Sequence, residues 1–447
     1  MKKREFVKLS TMALGASLLP LSSWSRGAGK SIIRTAHIGV GNMGMEDLKA
    51  IASHPQVEVV ALCDVDQNYL ATAQKLFPNA KVFTDYRLLF KKNHRKIDAV
   101  VVSTPDHTHA PASLLAMKHG KAVYCQKPLT HYVAESREMR RVAEKKGLVT
   151  QMGIQVHSFY DYKLATQLVR GGLIGKVSKV IAWSNKNWGY NGLAPAGTDP
   201  VPSTLDWNLW LGTSPERPYK KGYYHPGNWR KLVDYGCATL GDMGVHIFDT
   251  PYNALALGVP STITNNCRPV TGFGYPERNV VSYTFEGTAY TTAVFEWVWY
   301  DGVEGPTVSP ELMLPAGVSL PNQGAIFIGE NGKRLLLPHF MQQPCLLVGD
   351  TIAKYDIKQF DPTGSLGQPI RNYAKESSLH YHEFINTCLG KATCSAPFTY
   401  AAKLTETILL GVIAGRFPGK TLHYNKDQSA FSEAEANIYL SGAYRNF

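Results

Sequence analysis

The sequence predicts an α/β protein of two domains, the first built on a doubly wound parallel sheet. Three observations carry the prediction. From residue 34 to about residue 153, short apolar runs alternate with helix-spaced segments, the pattern of a parallel sheet covered by helices on both faces. The first run ends in Gly39, Gly41 and Gly44, which have G-x-G-x-x-G spacing. The second run ends at Asp64, about twenty residues beyond the last glycine, where a dinucleotide-binding unit carries its acidic residue.

The elements follow in order. Residues 34–40, 57–63, 80–84, 97–103, 122–125 and 148–152 read as strands, and 45–53, 68–77, 109–119 and 133–146 as helices. Two glycines allow a tight turn and a close backbone approach to a pyrophosphate, and the third lets the next helix pack on the strand. That helix offers free N–H groups and the positive end of its dipole to the phosphates. Gly39, Gly41, Asn42, Met43 and Gly44 are therefore candidate cofactor contacts, with Asp64 on the ribose hydroxyls. Asp64 also selects NAD over NADP: its carboxylate repels a 2′-phosphate, and Val65 and Asp66 supply no arginine to receive one.

Ligands bind such sheets beyond the carboxyl ends of the strands. Two further strand ends carry candidates. One is the loop with Thr104, Pro105, His107 and His109, placed where a nicotinamide ribose would lie. The other is Gln126-Lys127-Pro128, where a proline holds the lysine toward the cleft. The H-x-H of that loop has no cysteine or further histidine at zinc-site spacing, so no metal is expected.

The bulk properties set limits. A chain of 447 residues holds two or three domains' worth of core. The formal charge of +12 is scattered and partly confined to the first eight residues, which argues against a nucleic-acid partner. No run is long enough to cross a membrane. Seven cysteines without a CxxC pair do not form a disulfide framework; Cys63 and Cys125 read as buried thiols.

Residues 1–30 read as an export signal: Lys2, Lys3 and Arg4, an apolar stretch over 11–21, then small residues with a plausible cleavage point near Ala28. The stretch KKREFVK resembles a twin-arginine signal with Lys3 in place of the first arginine. The expected location is the periplasm, with no lipid anchor. Free NAD should be scarce there, so a dinucleotide held tightly and loaded before export is expected.

From residue 154 to 447 the pattern changes. Residues 158–171 have helical spacing, and 177–184, 280–285 and 289–300 read as strands. An irregular stretch from Trp188 to Trp229 holds Tyr190, Trp207, Trp210, Tyr223 and Tyr224 between them. Two readings stand: the rings stack on sugar C–H faces, or they pin long loops by burial. Trp188 and Trp229, with Arg230 beside the latter, are the candidates for substrate contact. Residues 240–257 read as a helix with Asp242 and His246 four apart on one face. His246 is the natural base near neutral pH; the alternative is a capping Asp and a structural His. The stretch from His380 to Glu383 reads as structural rather than metal-binding, and 401–416 as a core helix.

Together these residues resemble the glucose–fructose oxidoreductase/inositol dehydrogenase/MocA family. The likeness rests on the G-x-G-x-x-G turn, the T-P-x-H-x-H loop, the K-P dipeptide, the D-x-x-x-H element at Asp242–His246 and a G-x-x-x-x-G strand-turn from Gly324. The resemblance implies a Rossmann domain followed by an α/β domain with an open, mostly antiparallel sheet, whose exposed face would invite pairing of two copies. It implies an NAD-dependent oxidoreductase acting on a ring hydroxyl of a carbohydrate or glycoside. His246 would be the acid/base, Lys127 the group polarising the oxygen and Asp242 the orienting partner. A redox-neutral glycosidase of the same fold is the alternative, and a sugar-binding protein with vestigial chemistry a third. One position departs from the family's E-K-P: Gln126 stands where a carboxylate would support the charge on Lys127.

Overall fold

The computed structural model describes residues 31–302, 306, 312 and 314–447; the expected export signal lies outside the described residues. The six apolar runs form one parallel sheet. Its strands are β1 (Ile33–Ile38), β2 (Val57–Cys63), β3 (Lys81–Phe83), β4 (Ala99–Val102), β5 (Ala122–Gln126) and β6 (Thr150–Gly153). The helices between them are α1 (Met43–Ala52), α2 (Gln67–Leu76), α3 (Tyr86–Asn93), α4 (Asp106–Lys118) and α5 (Val133–Lys146). The spatial order is β3-β2-β1-β4-β5-β6, so the strand order reverses between β1 and β4 and a crevice opens beyond their carboxyl ends. All four residues of β4 are buried, as a strand covered on both faces requires.

Two boundaries differ from expectation. Helix α4 starts at Asp106 rather than at residue 109, because Pro105 takes an extended ψ of 153° and the chain turns helical at once. Asp106 then sits in the first turn, where the helix dipole favours a carboxylate. His107 and His109 are thus helical residues, not loop residues. The expected helix over 240–257 is a wide π-helical turn, Leu240–Gly244, running into an α-helix, Val245–Ala254. Such turns recur at functional sites.

Among the described residues the second sheet has ten strands. In spatial order they are Thr351–Ala353, Cys345–Val348, Lys333–Pro338, Gln323–Gly329, Val177–Ser184, Thr291–Asp301, Asn279–Glu286, Thr262–Asn266, Thr421–Asn425 and Ala430–Phe431. Val177–Ser184 and Thr291–Asp301 pair in parallel; the other neighbours run antiparallel. In Thr291–Asp301 the rings of Phe295, Trp297 and Trp299 alternate onto the buried face. There Trp297 stacks on Phe248 of the helix Val245–Ala254, with ring centroids 4.1 Å apart. Leu312 packs over Ile181, Trp183, Ile326, Leu336 and Leu347 on the other face, so part of the face expected to be open is covered.

The chain then returns to the first domain. Tyr381, Phe384 and Ile385 of helix Tyr373–Cys388 pack against Ile33, Val101 and Tyr124. The helix Phe398–Ala414 lies along α5. A single division near residue 153 therefore separates the two sheets but not their cores. In the 380–383 stretch, His380 bonds the Met152 carbonyl and Ser158 Oγ, both at 2.8 Å, and Glu383 accepts from the Ser395 N–H and hydroxyl at 2.7 Å. None of the seven cysteines is in a disulfide.

Candidate active site in the cleft between the sheets

The glycine turn after β1 and the π-helical turn at Leu240–Gly244 open into one cleft of about 540 Å³. At Gly39, φ is +82° and an added Cβ would lie 2.5 Å from the Ser103 carbonyl oxygen. At Gly41 an added Cβ would lie 2.4 Å from the Tyr69 ring. Gly44 does not line the cleft: its Cβ would fall 2.3 Å from the Gly39 carbonyl oxygen, so it serves the packing of α1 on β1. Asn42 and Met43 line the cleft where α1 begins.

Asp64 is held in place by its own backbone surroundings. One carboxylate oxygen accepts from the Val40 N–H at 2.8 Å and the other from the Asp66 N–H at 2.9 Å. Each oxygen keeps a lone pair for a further donor. Burial raises its pKa, opposed by those two backbone bonds. A glycine cradle that side chains would fill, a helix N-terminus and a fixed carboxylate fit a dinucleotide.

The second domain closes over this end. Gln67 N donates to Thr204 O and Asp206 N to Val65 O, both within 3.0 Å. His225 Nε2 lies 2.9 Å from the Asp66 carboxylate. Tyr69, Tyr86, Trp210 and Phe447 complete the wall. No local pattern joins residues 204–206 or 225 to residues 65–67, so sequence reasoning had no signal for this closure.

In the middle of the cleft, Thr104, Pro105 and His109 line the wall, as expected. His107 does not. Its ring is buried against Trp210 and Tyr235, with Nε2 3.0 Å from the Trp210 carbonyl. The early start of α4 turns it toward the second domain, so the expected cofactor contact at His107 is corrected. His109 is fixed by the carbonyls of Pro128 and Thr104, each at 2.8 Å. Burial pushes both imidazoles down to about 4.

Gln126 lines the cleft and donates its amide to both oxygens of Asp47, at 2.9 and 3.0 Å, while its own oxygen accepts from the Lys127 N–H. Asp47 is fully buried and also accepts from Ser103 Oγ at 2.6 Å and Tyr381 Oη at 2.7 Å. Burial pushes its carboxyl up to about 6. The amide at 126 thus satisfies a buried acid that a glutamate there would repel.

At the far end, Lys127 Nζ donates to Asp242 Oδ1 at 2.6 Å and to the Asp242 carbonyl at 3.1 Å. Trp188 Nε1 donates to Asp242 Oδ2 at 2.7 Å, and Arg230 Nε lies 3.5 Å from Oδ1. Burial opposes charge on Asp242, but Arg230 and Lys127 together hold it ionised, well below the usual carboxylate range. Burial pulls Lys127 down from its ordinary value, against the pull of Asp242.

Arg230 also lies 3.5 Å from Asp106, a cleft-lining carboxyl that burial pushes up to about 6. In sequence Asp106 lies inside the T-P-x-H-x-H motif at its variable position, which carries no signal of its own. His246 faces the cleft, and its Nδ1 has no hydrogen-bond partner among the described residues. Burial, with Lys127 adding to it, holds its imidazole well below 6.5 and hence neutral.

The aromatic stretch divides between its two readings. Trp207, Trp210, Tyr219, Tyr224 and Tyr235 pack on one another, with Trp207 and Trp210 stacked at 4.8 Å, so these rings pin the loops. Trp188 and Trp229 line the cleft. One face of Trp229 is taken by the Arg230 guanidinium, 4.4 Å from the ring centroid, which leaves it less free for a sugar than expected. His339, Phe340 and Tyr162 had no sequence signal, yet His339 and Phe340 line the same end.

Comparison with known proteins agrees with this architecture. Residues 33–154 match the oxidoreductase family's NAD-binding Rossmann fold, and residues 160–258 match its C-terminal alpha/beta domain. A glycosyl hydrolase family 109 protein of Stenotrophomonas maltophilia is 32% identical over 190 residues, 40% of each chain. An inositol 2-dehydrogenase of Rhodococcus jostii is 32% identical over 154 residues, 34% of this chain and 41% of that one. The chain thus spans about two-fifths of the length of these curated relatives. The crystal structure of an oxidoreductase domain protein from Kribbella flavida superposes with a TM-score of 0.61 at 18% identity, over 88% of this chain and 99% of that one, a likeness of fold. The chain belongs to the glucose–fructose oxidoreductase/inositol dehydrogenase/MocA family of NAD-binding oxidoreductases.

Proposed function

We propose that this protein is an NAD-dependent oxidoreductase that acts on a ring hydroxyl of a carbohydrate or glycoside. One observation carries the reading: the glycine cradle and the Lys127–Asp242–His246 group share one cleft. Gly39, Gly41, Asn42, Met43 and Asp64 would hold the dinucleotide, with Thr104, Pro105 and His109 along its course. The bound nicotinamide supplies a hydride acceptor or donor.

The chain's own groups handle the proton and the oxygen. The neutral imidazole of His246 takes the hydroxyl proton. Lys127 donates to the same oxygen and favours the charge that develops on it. Asp242 fixes Lys127 and shares its carboxylate with Trp188 and Arg230, so the ammonium keeps one position. Trp188 and Arg230 frame the sugar beside them, with Trp229 behind the guanidinium.

A redox-neutral glycosidase is kept as a second reading because the glycosyl hydrolase family 109 relative aligns with this chain. Export through a twin-arginine-like signal belongs to the same proposal. A periplasmic enzyme needs its dinucleotide held tightly, and it must either reduce a second substrate or restore NAD in its own cycle. Pairing of two copies through the second sheet is likewise proposed.

The test uses the purified protein and a panel of p-nitrophenyl glycosides and free sugars, followed at 340 nm and by released nitrophenol. A lasting rise at 340 nm, or a keto-sugar, supports the oxidoreductase. Nitrophenol release without a lasting rise supports the glycosidase. Silence in both channels across the panel overturns the proposal.

A further inference from the structure

One end of the cleft is walled by a segment that neither the glycine turn nor the reacting groups require. Residues 441–447 form neither helix nor strand, yet they are tied to both domains. On the first domain, Tyr444 donates its hydroxyl to the buried carboxyl of Glu135 at 3.0 Å, and an added Cβ at Gly442 would overlap the Tyr132 ring. On the second, the Arg445 N–H donates to the Thr213 carbonyl at 2.8 Å. The Arg445 guanidinium donates to the carbonyls of Asn208, Gly212 and Ser214 at 3.1, 2.9 and 3.1 Å, and to Asn208 Oδ1 at 2.7 Å. The turn it grips is the one that carries Leu209 and Trp210 to the cleft wall.

Phe447 is where the segment meets the cleft. Its ring is part of the lining, with the guanidinium of Arg87 4.0 Å and that of Arg445 5.9 Å from the ring centroid. Arg87 also donates to a backbone oxygen of Phe447. It is itself fixed by Asp85, whose two carboxylate oxygens accept from its Nε at 3.0 Å and its Nη2 at 2.8 Å. Phe447 is thus set at the start of α3, which follows β3.

That position corresponds to one part of the cofactor. The glycine turn at the end of β1 takes the pyrophosphate, and Asp64 at the end of β2 takes the ribose hydroxyls. The next strand outward is β3. A dinucleotide runs phosphate, ribose, base, so its adenine falls beyond Asp64, toward the start of α3. The cleft is lined there by Val65, Tyr86 and Phe447, apolar surfaces suited to a flat base.

We propose that residues 441–447 clasp the bound dinucleotide: Phe447 walls the pocket for the adenine base, and the anchors of Arg445 and Tyr444 keep that wall shut. The inference rests on the dinucleotide reading of the glycine turn and is independent of the sugar chemistry. A phenyl ring that covers about 60 Å² of the base contributes about tenfold to affinity. The contribution falls on release, because the nucleotide leaves only when the segment lifts. The anchors named here lie outside the glycine turn and Asp64, so loosening the segment leaves the phosphate and ribose contacts in place.

The test loads the protein with NADH, mixes it with excess NAD and follows the loss of bound-NADH fluorescence. Phe447→Ala should speed release about tenfold. Calorimetry should show AMP affinity lowered about tenfold and nicotinamide mononucleotide affinity unchanged within about threefold, because only AMP carries the adenine. Arg445→Met keeps the ring but removes the guanidinium bonds, and should also speed release about tenfold. It decides the matter if Phe447→Ala does not fold.

Release at the wild-type rate in either folded variant overturns the clasp. Equal losses of AMP and nicotinamide mononucleotide affinity in Phe447→Ala also overturn it, since a general loosening of the cleft moves both. A wild type that binds NADH, with variants that release it no faster, sinks the clasp alone. A wild type that binds no NADH sinks the dinucleotide site with it.

Discussion

Asp242→Asn tests the charge arrangement at the reacting end. The carboxylate accepts from Lys127 at 2.6 Å and from Trp188 at 2.7 Å, one donor on each oxygen. An asparagine has one acceptor oxygen and one NH2 group. Whichever way it turns, one of those two donors meets an amide that also donates. A buried donor left unmatched costs about 1–3 kcal/mol. The substitution also removes the negative charge between Lys127 and Arg230, whose side chains are 13% and 17% exposed. Removing one partner of a buried ion pair costs about 3–5 kcal/mol, and we expect a loss in that range at pH 7.

The pH dependence has a definite sign. The folded pKa of Asp242 is held below its unfolded value, about 4. Its contribution is therefore complete above pH 4 and declines as pH falls through the folded value. Urea unfolding followed by tryptophan fluorescence at pH 7, 5 and 3.5 reads this directly. The gap between wild type and variant should be equal at pH 7 and 5 and should begin to close at pH 3.5. A gap below about 0.5 kcal/mol at pH 7, the size of an ordinary surface substitution, would refute the reasoning. So would a gap that widens toward acid.

Other outcomes follow from the same geometry. His246→Gln should lower turnover by about 10²–10⁴ while nucleotide affinity, read by fluorescence titration, stays within about threefold. Asp64→Ala should weaken NAD binding and also destabilise the fold by about 1–3 kcal/mol, because the N–H groups of Val40 and Asp66 lose their acceptor; isothermal calorimetry and thermal unfolding separate the two effects. Gln126→Glu should destabilise the protein at neutral pH by setting a carboxylate against Asp47, with recovery as pH falls below about 6, where Asp47 takes up a proton. The whole protein should lose stability on acidification from pH 6.5 to about 4. His37, His107, His109, His131, His339 and His380 are held neutral down to about 3 or 4 by burial, so the unfolded chain binds protons that the folded chain refuses. Asp47, Asp106, Glu135 and Asp301 act in the opposite sense but are fewer. A urea midpoint that rises between pH 7 and 5 would contradict this.

What was legible in the sequence was local. Glycine spacing, strand-length apolar runs and an acid at a strand end are set by the backbone within one βαβ unit. The first sheet and the places of Gly39, Gly41 and Asp64 at its carboxyl edge could therefore be read from them. Lys127 could be placed because it lies at the end of β5, and Asp242 and His246 because a resemblance singled out their spacing. His107 was misplaced because helix starts are weakly marked: Pro105 ended the strand, and nothing nearby showed that the next residue was already helical. Asp106 and His339 were missed for different reasons. Asp106 matters through Arg230, more than a hundred positions away, and His339 through the Tyr162 hydroxyl, at a similar distance in sequence. Such contacts exist only once two elements have packed, and a single sequence carries no record of them.

The central claim is that the dinucleotide and the His246–Lys127 pair meet across one sugar carbon. Label transfer tests it most directly. A responsive sugar deuterated at the carbon that bears the reacting hydroxyl is incubated with the NAD-loaded protein, and the nicotinamide is recovered for mass spectrometry. The account predicts deuterium on the nicotinamide in the wild type and none in His246→Gln. Deuterium retained on the sugar or lost to water in the wild type would contradict it.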